Sequence, residues 1–217
     1  MKAIELQPLG DVHPDVLEIL SLALHTTFDI PATIRDCCLS IDQFYDAPRG
    51  QYNSTAILHY LSNPTAMQRK PHGSGDEVRV VGVTQHDLFI PILTYVFGEA
   101  ALGGSVAVVS YHRFRNELYG LPSNQQLVQE RLWKVTVHEL GHTFGLVHCM
   151  LQQCVMHAAS YVEELDLKGH EFCSYCRSSI GESQPVHVGE EVPPETVTRV
   201  HHDPNRLVVV TFKSESG

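Results

Sequence analysis

The sequence predicts an α/β (α+β) fold, with helices interleaved among the strands. Three observations lead there. Apolar, β-branched runs of the kind found in buried strands recur at Glu77–Thr84 and Ser105–Tyr111. Apolar residues at helical spacing occupy the stretches between and before them. One long helical segment opening near Asn124 carries a run of histidines and is followed by cysteines in a stretch without regular periodicity.

From the amino end, Lys2–Gln7 alternates, with Ile4 and Leu6 on one side and Ala3, Glu5 and Gln7 on the other. This is a short strand closed by Pro8 and Gly10. Val16, Leu17, Leu20 and Leu24 make Asp15–Leu24 a first amphipathic helix. Thr27–Ile34 and Leu39–Ile41 are weaker strand candidates around Pro31. Tyr52–Leu61 gathers Ala56, Ile57, Tyr60 and Leu61 on one face and reads as a second helix, terminated by Asn63-Pro64. Met67–Asp76, with Pro71, Gly73 and Gly75, reads as an exposed loop, and Glu77–Thr84 as a central strand. Phe89–Phe97 is apolar, but Pro91 suits an edge strand or a rim segment. Ala101–Gly104 is a turn before the buried-type strand Ser105–Tyr111.

Pro122, Ser123 and Asn124 open the long helix, and Ser123 with Gln126 fits a capping box. Trp133, Val137, Leu140 and Phe144 form an apolar stripe suited to a sheet and a backing helix, while His138 and His142 lie off it, toward a cleft. Gly141 costs a helix interior about 1 kcal/mol against alanine, which implies close packing there. His138 and His142, four residues apart, stack on one helix face and can grip one metal ion. Glu139 is poorly placed to join them but can reach a water on that metal, where a general base belongs. Gly145 suits a helix end that needs a positive φ, and the turn it permits can return His148 to the same metal. Three neutral imidazoles leave one tetrahedral position open, as in a catalytic rather than a structural zinc. Met156 follows shortly downstream. The plain alternative is a histidine-rich surface helix. HExxH alone occurs by chance, and the full HExxHxxGxxH with its following methionine is what favours metal.

Cys149 directly follows the third histidine, Cys154 comes five residues later, and Cys173 and Cys176 form a CxxC. Thiolates at these spacings suit a closed four-sulfur zinc site that staples the segment after the helix to the CxxC. HExxHxxGxxHC, a CxM after four residues and the later CxxC together resemble the archaemetzincins. The resemblance continues upstream through Arg49–Tyr52, Gly82–Thr84, Asp87 and Leu88, and Ala107–Ser110, and covers about residues 1 to 180. It implies a metzincin, zincin-like architecture. An N-terminal subdomain of about residues 1–145 would hold a twisted mixed β-sheet, a backing helix and the active-site helix. A small zinc-stapled C-terminal subdomain of about 146–180 would follow. The same resemblance implies a zinc metallopeptidase, endopeptidase or aminopeptidase, that hydrolyses peptide bonds with zinc-bound water and Glu139 as general base. It implies two zinc ions per chain, one catalytic on His138, His142 and His148, one structural on Cys149, Cys154, Cys173 and Cys176. Met156 would lie beneath the catalytic zinc as an apolar support without ligating it. An edge strand between Pro91 and Ser110 is expected to bind the substrate backbone by β-addition.

Other residues take plainer readings. Tyr161–Leu167 reads as a short helix and the Cys173–Cys176 pair as the start of another. His157 is expected to pack beside the site, and Tyr161 lacks the spacing from Met156 of the tyrosine that assists the oxyanion in some metzincins. Cys37 and Cys38 are expected to be ordinary half-buried residues. Residues 181–217 fall outside the family pattern and are read as an extension, a hairpin ending in Leu207–Phe212 or partly disordered, with His201 and His202 exposed.

The 217 residues suffice for one sizeable domain, and the net charge of −10 argues against a nucleic-acid partner. No apolar leader or membrane-length run is present, so a cytoplasmic protein without membrane contact, a monomer acting on a peptide or protein substrate, is expected. In a reducing compartment the four cysteines read better as metal ligands than as disulfides. The alternative function is a zinc-stabilised peptide-binding or adaptor protein with little proteolytic activity, kept open because no recognisable restraining prosegment precedes the first strand. A redox use of the cysteines is the third reading, separable by thiol titration before and after metal removal.

Overall fold

The run Val78–Thr84 (β5) is buried from Val80 onward, and the main sheet is built outward from it. A computed structural model describes residues 3–63, 67 and 78–180 of the chain. Ala3–Pro8 (β1) and Val106–Ser110 (β8) flank β5 in parallel, and Ala32–Ile34 (β2) pairs in parallel with β1. Gly98–Ala100 (β7) closes the other side antiparallel to β8, giving the order β2-β1-β5-β8-β7. The sheet is therefore mixed, as expected. A second, three-stranded sheet joins Tyr45–Asp46 (β3), Gln51–Asn53 (β4) and Leu88–Phe89 (β6).

Alternation along β5 and β8 divides the core between the two faces of the sheet. Val81, Val83 and Val109 face Pro14–Phe28 (α1) and Gln125–Thr143 (α3), whose Leu17, Leu20, Leu24, Leu132 and Leu140 fill the layer. Val80, Val106 and Val108 face Ser54–Ser62 (α2) through Ile57, Leu58 and Leu61. The backing helix is α1: Trp133 Nε1 donates to Thr27 Oγ1 at 2.9 Å, and Phe144 meets Phe28 at 5.9 Å between ring centroids.

Several local expectations are corrected. Thr27 and Phe28 belong to α1, which runs on until Asp29 adopts φ 54°, so the strand predicted over Thr27–Ile34 keeps only Ala32–Ile34. Leu39 makes an isolated bridge to Leu9 and no strand. Tyr52 and Asn53 lie in β4, and Asn53 caps α2 by accepting from Ala56 N–H at 3.0 Å. The cap of α3 is Asn124, which accepts from Leu127 N–H at 3.0 Å; Ser123 bonds to Glu117 instead. Of the two readings of Phe89–Phe97, the rim segment holds beyond β6, with Val96 bridging back to Leu88. Cys37 and Cys38 are exposed, with the Cys38 thiol donating to Gly10 O at 2.8 Å. Of the predicted loop Met67–Asp76 only Met67 is described, and it is buried. The tail hairpin and the His201-His202 pair lie outside the described residues.

The largest difference concerns α3. Lys134 to Gly141 are all buried, so the helix has no solvent face over this stretch. The chain after it wraps the polar side and returns as Val162–Leu167 (α4) and Ser174–Ser179 (α5). Buried charges are tolerated because they are paired: Arg131 forks onto Asp166 at 2.8 and 2.6 Å, and Lys134 meets Glu130 at 2.9 Å and Leu165 O at 3.0 Å. Among the described residues no helix is long and apolar enough to cross a membrane.

Candidate metal centre

The end of α3 determines where the histidines meet. Gly145, at φ 89°, donates to His142 O at 2.9 Å, and Leu146 N–H donates to Gly141 O at 3.1 Å, a Schellman termination. That reversal carries the chain back across the helix, and the ring of His148 comes to 5.1 Å from those of His138 and His142, centroid to centroid. The three side chains offer nitrogens within 4.8 Å of one another.

The donor set fits a metal ion on one geometric ground above all. His138 Nδ1 lies 2.8 Å from Val155 O and His142 Nδ1 lies 2.7 Å from Leu146 O, contacts that require a hydrogen on each Nδ1. Both Nε2 atoms are then bare lone pairs, yet they face each other at 3.1 Å. Two acceptors so close repel unless a cation lies between them. Burial also keeps the imidazoles neutral, lowering His138 well below the usual range, His142 to about 4 and His148 to about 3.

Protons compete with a metal only below a ligand's own pKa. Zinc retained by this site after dialysis is therefore expected to stay level from neutral pH down to about 5, and to fall near the His142 value of about 4. A decline beginning at the ordinary histidine value of 6.5 would show that these imidazoles behave as free ones.

Glu139 is only 7% exposed, and burial pushes its carboxyl up to about 8 in the metal-free protein. A dication held by the three histidines would favour the carboxylate form of Glu139 instead. The edge strand accommodates it through Gly98: a Cβ there would lie 2.8 Å from Glu139 Cγ and 2.9 Å from Val108 O. Glu99, the next residue of β7, is buried behind the strand, where burial raises its pKa and Ser54 and Thr55 donate to it from the start of α2. Met156 is fully buried against Gly141, where any Cβ would collide with its Sδ and approach Phe172 Cε1 to 3.1 Å. The close packing expected of Gly141 is found, and its partner is the floor of the site.

Cys149, Cys154, Cys173 and Cys176 bring four sulfurs within 4.8 Å, and all are free thiols. Backbone N–H groups of Leu151, Cys173 and Cys176 point at the sulfurs of Cys149, Cys154 and Cys173 at 3.4 to 3.5 Å. Burial pushes the Cys149 and Cys176 thiols up; at Cys173 burial is outweighed by hydrogen bonds from the Cys176 N–H and the neighbouring thiols, which bring it down. His148 and Cys149, adjacent in sequence, turn to different clusters. His157 hydrogen-bonds Cys149 O through Nδ1 at 2.9 Å, a packing role.

A cleft of about 690 Å³ opens over the histidines, bounded by the rim Ile90–Phe97, by β7 and by Ala158–Tyr161. Tyr95 ties rim to wall, donating to Ser160 O at 2.8 Å beneath the Arg113 guanidinium, which stands 3.9 Å over its ring and forks onto Asp87. Tyr161 caps α4 and is largely exposed at the cleft. Lys168 lies at the inner end, 4% exposed, with burial lowering its pKa to about 8. Gly98, Glu99, Tyr95 and Lys168 escaped the sequence reading, since none stands at a spacing that relates it to the histidines.

Residues 17–182 match peptidase family M54. By class the protein is thus a zinc metallopeptidase. The chain belongs to family M54, and archaemetzincins are among its curated relatives. That of Methanocaldococcus jannaschii is 37% identical over 171 residues, spanning 79% of this chain and 88% of that protein. That of Pyrococcus furiosus is 36% identical over 181 residues, spanning 81% and 90%. Among solved structures, the archaemetzincin of Archaeoglobus fulgidus, complexed with malonate, superposes with a TM-score of 0.68 at 34% identity, over 82% of this chain and 99% of that one. A zinc-dependent peptidase from Methanocorpusculum labreanum superposes with a TM-score of 0.73 at 29% identity, over 82% and 100%. The histidine and cysteine clusters are compatible with two zinc sites.

Proposed function

We propose that the chain hydrolyses peptide bonds at the three-histidine centre, with Glu139 as general base and then general acid, and that the four cysteines hold a second, structural zinc. The observation that carries this reading is the 3.1 Å approach of His138 and His142 Nε2 on the helix turn that also presents Glu139. Zinc, when bound by His138, His142 and His148, supplies a Lewis acid that brings a water's pKa from about 16 to near 7 and polarises the scissile carbonyl.

The rest falls to the chain's own groups. The outer edge of β7 offers backbone donors and acceptors to an extended peptide. Glu139, backed by Gly98, orients the attacking water through its carboxylate, takes the proton at a carboxylate oxygen and returns it to the departing amine. Val155 O and Leu146 O hold the two helix imidazoles in the tautomer that frees Nε2. Met156 packs below as a rigid apolar floor.

The test is zinc per chain by elemental analysis, with peptide cleavage, for the wild type and His138→Ala. Two zincs falling to one, with cleavage lost and melting largely kept, is the expected result. One zinc throughout, indifferent to the substitution, would leave only the cysteine cluster loaded and favour a peptide-binding module without proteolysis.

A further inference from the structure

The chemistry just described leaves Lys168 unused, although its ammonium is buried at the cleft's inner end. Its Nζ donates to Val155 O at 2.9 Å and His157 O at 3.0 Å, the carbonyls on either side of Met156. His138 Nδ1, 3.5 Å away, cannot accept from it, because that nitrogen carries the hydrogen given to Val155 O. One N–H therefore remains without an acceptor among the described residues, and no described carboxylate forms an ion pair with Nζ. The walls nearby are apolar, formed by Val135, Ala158, Ala159 and Leu165. A buried ammonium in such a place is costly until an anion joins it.

Position decides which anion. Glu139 is the carboxyl group whose charge Lys168 feels most. Glu139 must reach the departing amine, so a residue that bears this amine would lie on Glu139's side of the cleft, the side on which Lys168 stands. We propose that Lys168 makes the peptidase selective for an acidic side chain, aspartate or glutamate, on the residue immediately following the scissile bond. The proposal rests on the peptidase reading above and adds its substrate class.

The experiment compares hexapeptide pairs identical except for Glu or Gln after the scissile bond, using the zinc-loaded full chain. The wild type is expected to favour Glu about tenfold in kcat/KM, the weaker end of what a charge-assisted hydrogen bond provides. Lys168→Gln retains a donor for the two carbonyls and loses the charge, so the Glu-to-Gln ratio should fall to near one whatever becomes of the absolute rate. A wild-type ratio near one overturns the proposal while leaving the peptidase reading intact. A ratio that survives Lys168→Gln or Lys168→Met overturns it as well. If no peptide is cut, the peptidase reading suffers, and calorimetric binding of the same pairs decides the Lys168 proposal: about tenfold tighter binding of the Glu peptide supports it, and equal binding ends it.

Discussion

Glu139→Gln is expected to lower kcat by about 10²- to 10⁴-fold while zinc content and melting temperature stay close to wild type. An amide keeps the shape and still fits against Gly98, but it cannot accept a proton from water. Folding should tolerate the change because Glu139, only 7% exposed, has no ion-pair partner among the described residues. Its burial already favours the neutral form in the absence of metal, with the carboxyl pushed up to about 8. Single-turnover cleavage of a quenched peptide, with zinc analysis on the same preparation, separates the outcomes. Activity within tenfold of wild type would require another base, and zinc lost together with activity would mean that Glu139 holds the site together rather than acting in it.

Cys173→Ser is expected to remove the cysteine-bound zinc, to weaken the histidine-bound one, and to cost more stability than any substitution at the histidines. Binding of structural zinc in small metal-dependent folds has an apparent value of about 10–16 kcal/mol, as large as the whole stability of a typical domain. Residues 149–180 hold few apolar groups that could replace it: Cys149, Cys154, Val155, Met156, Val162, Leu165, Phe172 and Cys176 are the buried ones that pack into the main core. The damage should spread to the histidines, since Val155 O orients His138 and Cys149 adjoins His148. Two zincs should thus fall below one, with early proteolysis after residue 145. Unchanged stoichiometry and melting would remove the four-sulfur site from the description.

The parts legible in the sequence were those governed by short-range periodicity. Four-residue spacing places His138 and His142 on one face of any helix, and a glycine three residues on marks its end. The CxxC and the central strands were readable for similar reasons. What escaped depends on distant segments meeting. Gly98 matters only because β7 pairs with β8 in the register Gly98↔Val109, which sets it against α3. Lys168 comes to His138 across 30 residues that take in the end of α3, the wrapping segment after it and α4. The buried second face of α3 was hidden because Arg131 and Lys134 look like solvent residues until Asp166 and Glu130 neutralise them. Thr27 and Phe28 joined α1 rather than a strand, as Thr27 Oγ1 bonds back to Ala23 O and accepts from Trp133.

Strand β7 has three residues, so its free margin spans about 10 Å. It is bounded by the turn at Ala101–Gly104 on one side and by the bridge from Val96 to Leu88 on the other. A margin of that length can seat a few residues of an extended visitor but cannot zip onto a second folded copy, the hazard that longer bare edges carry. Brevity thus protects the sheet against polymerisation through this border. A peptide paired there would gain only a few main-chain hydrogen bonds, and the rest of its hold would have to come from its side chains.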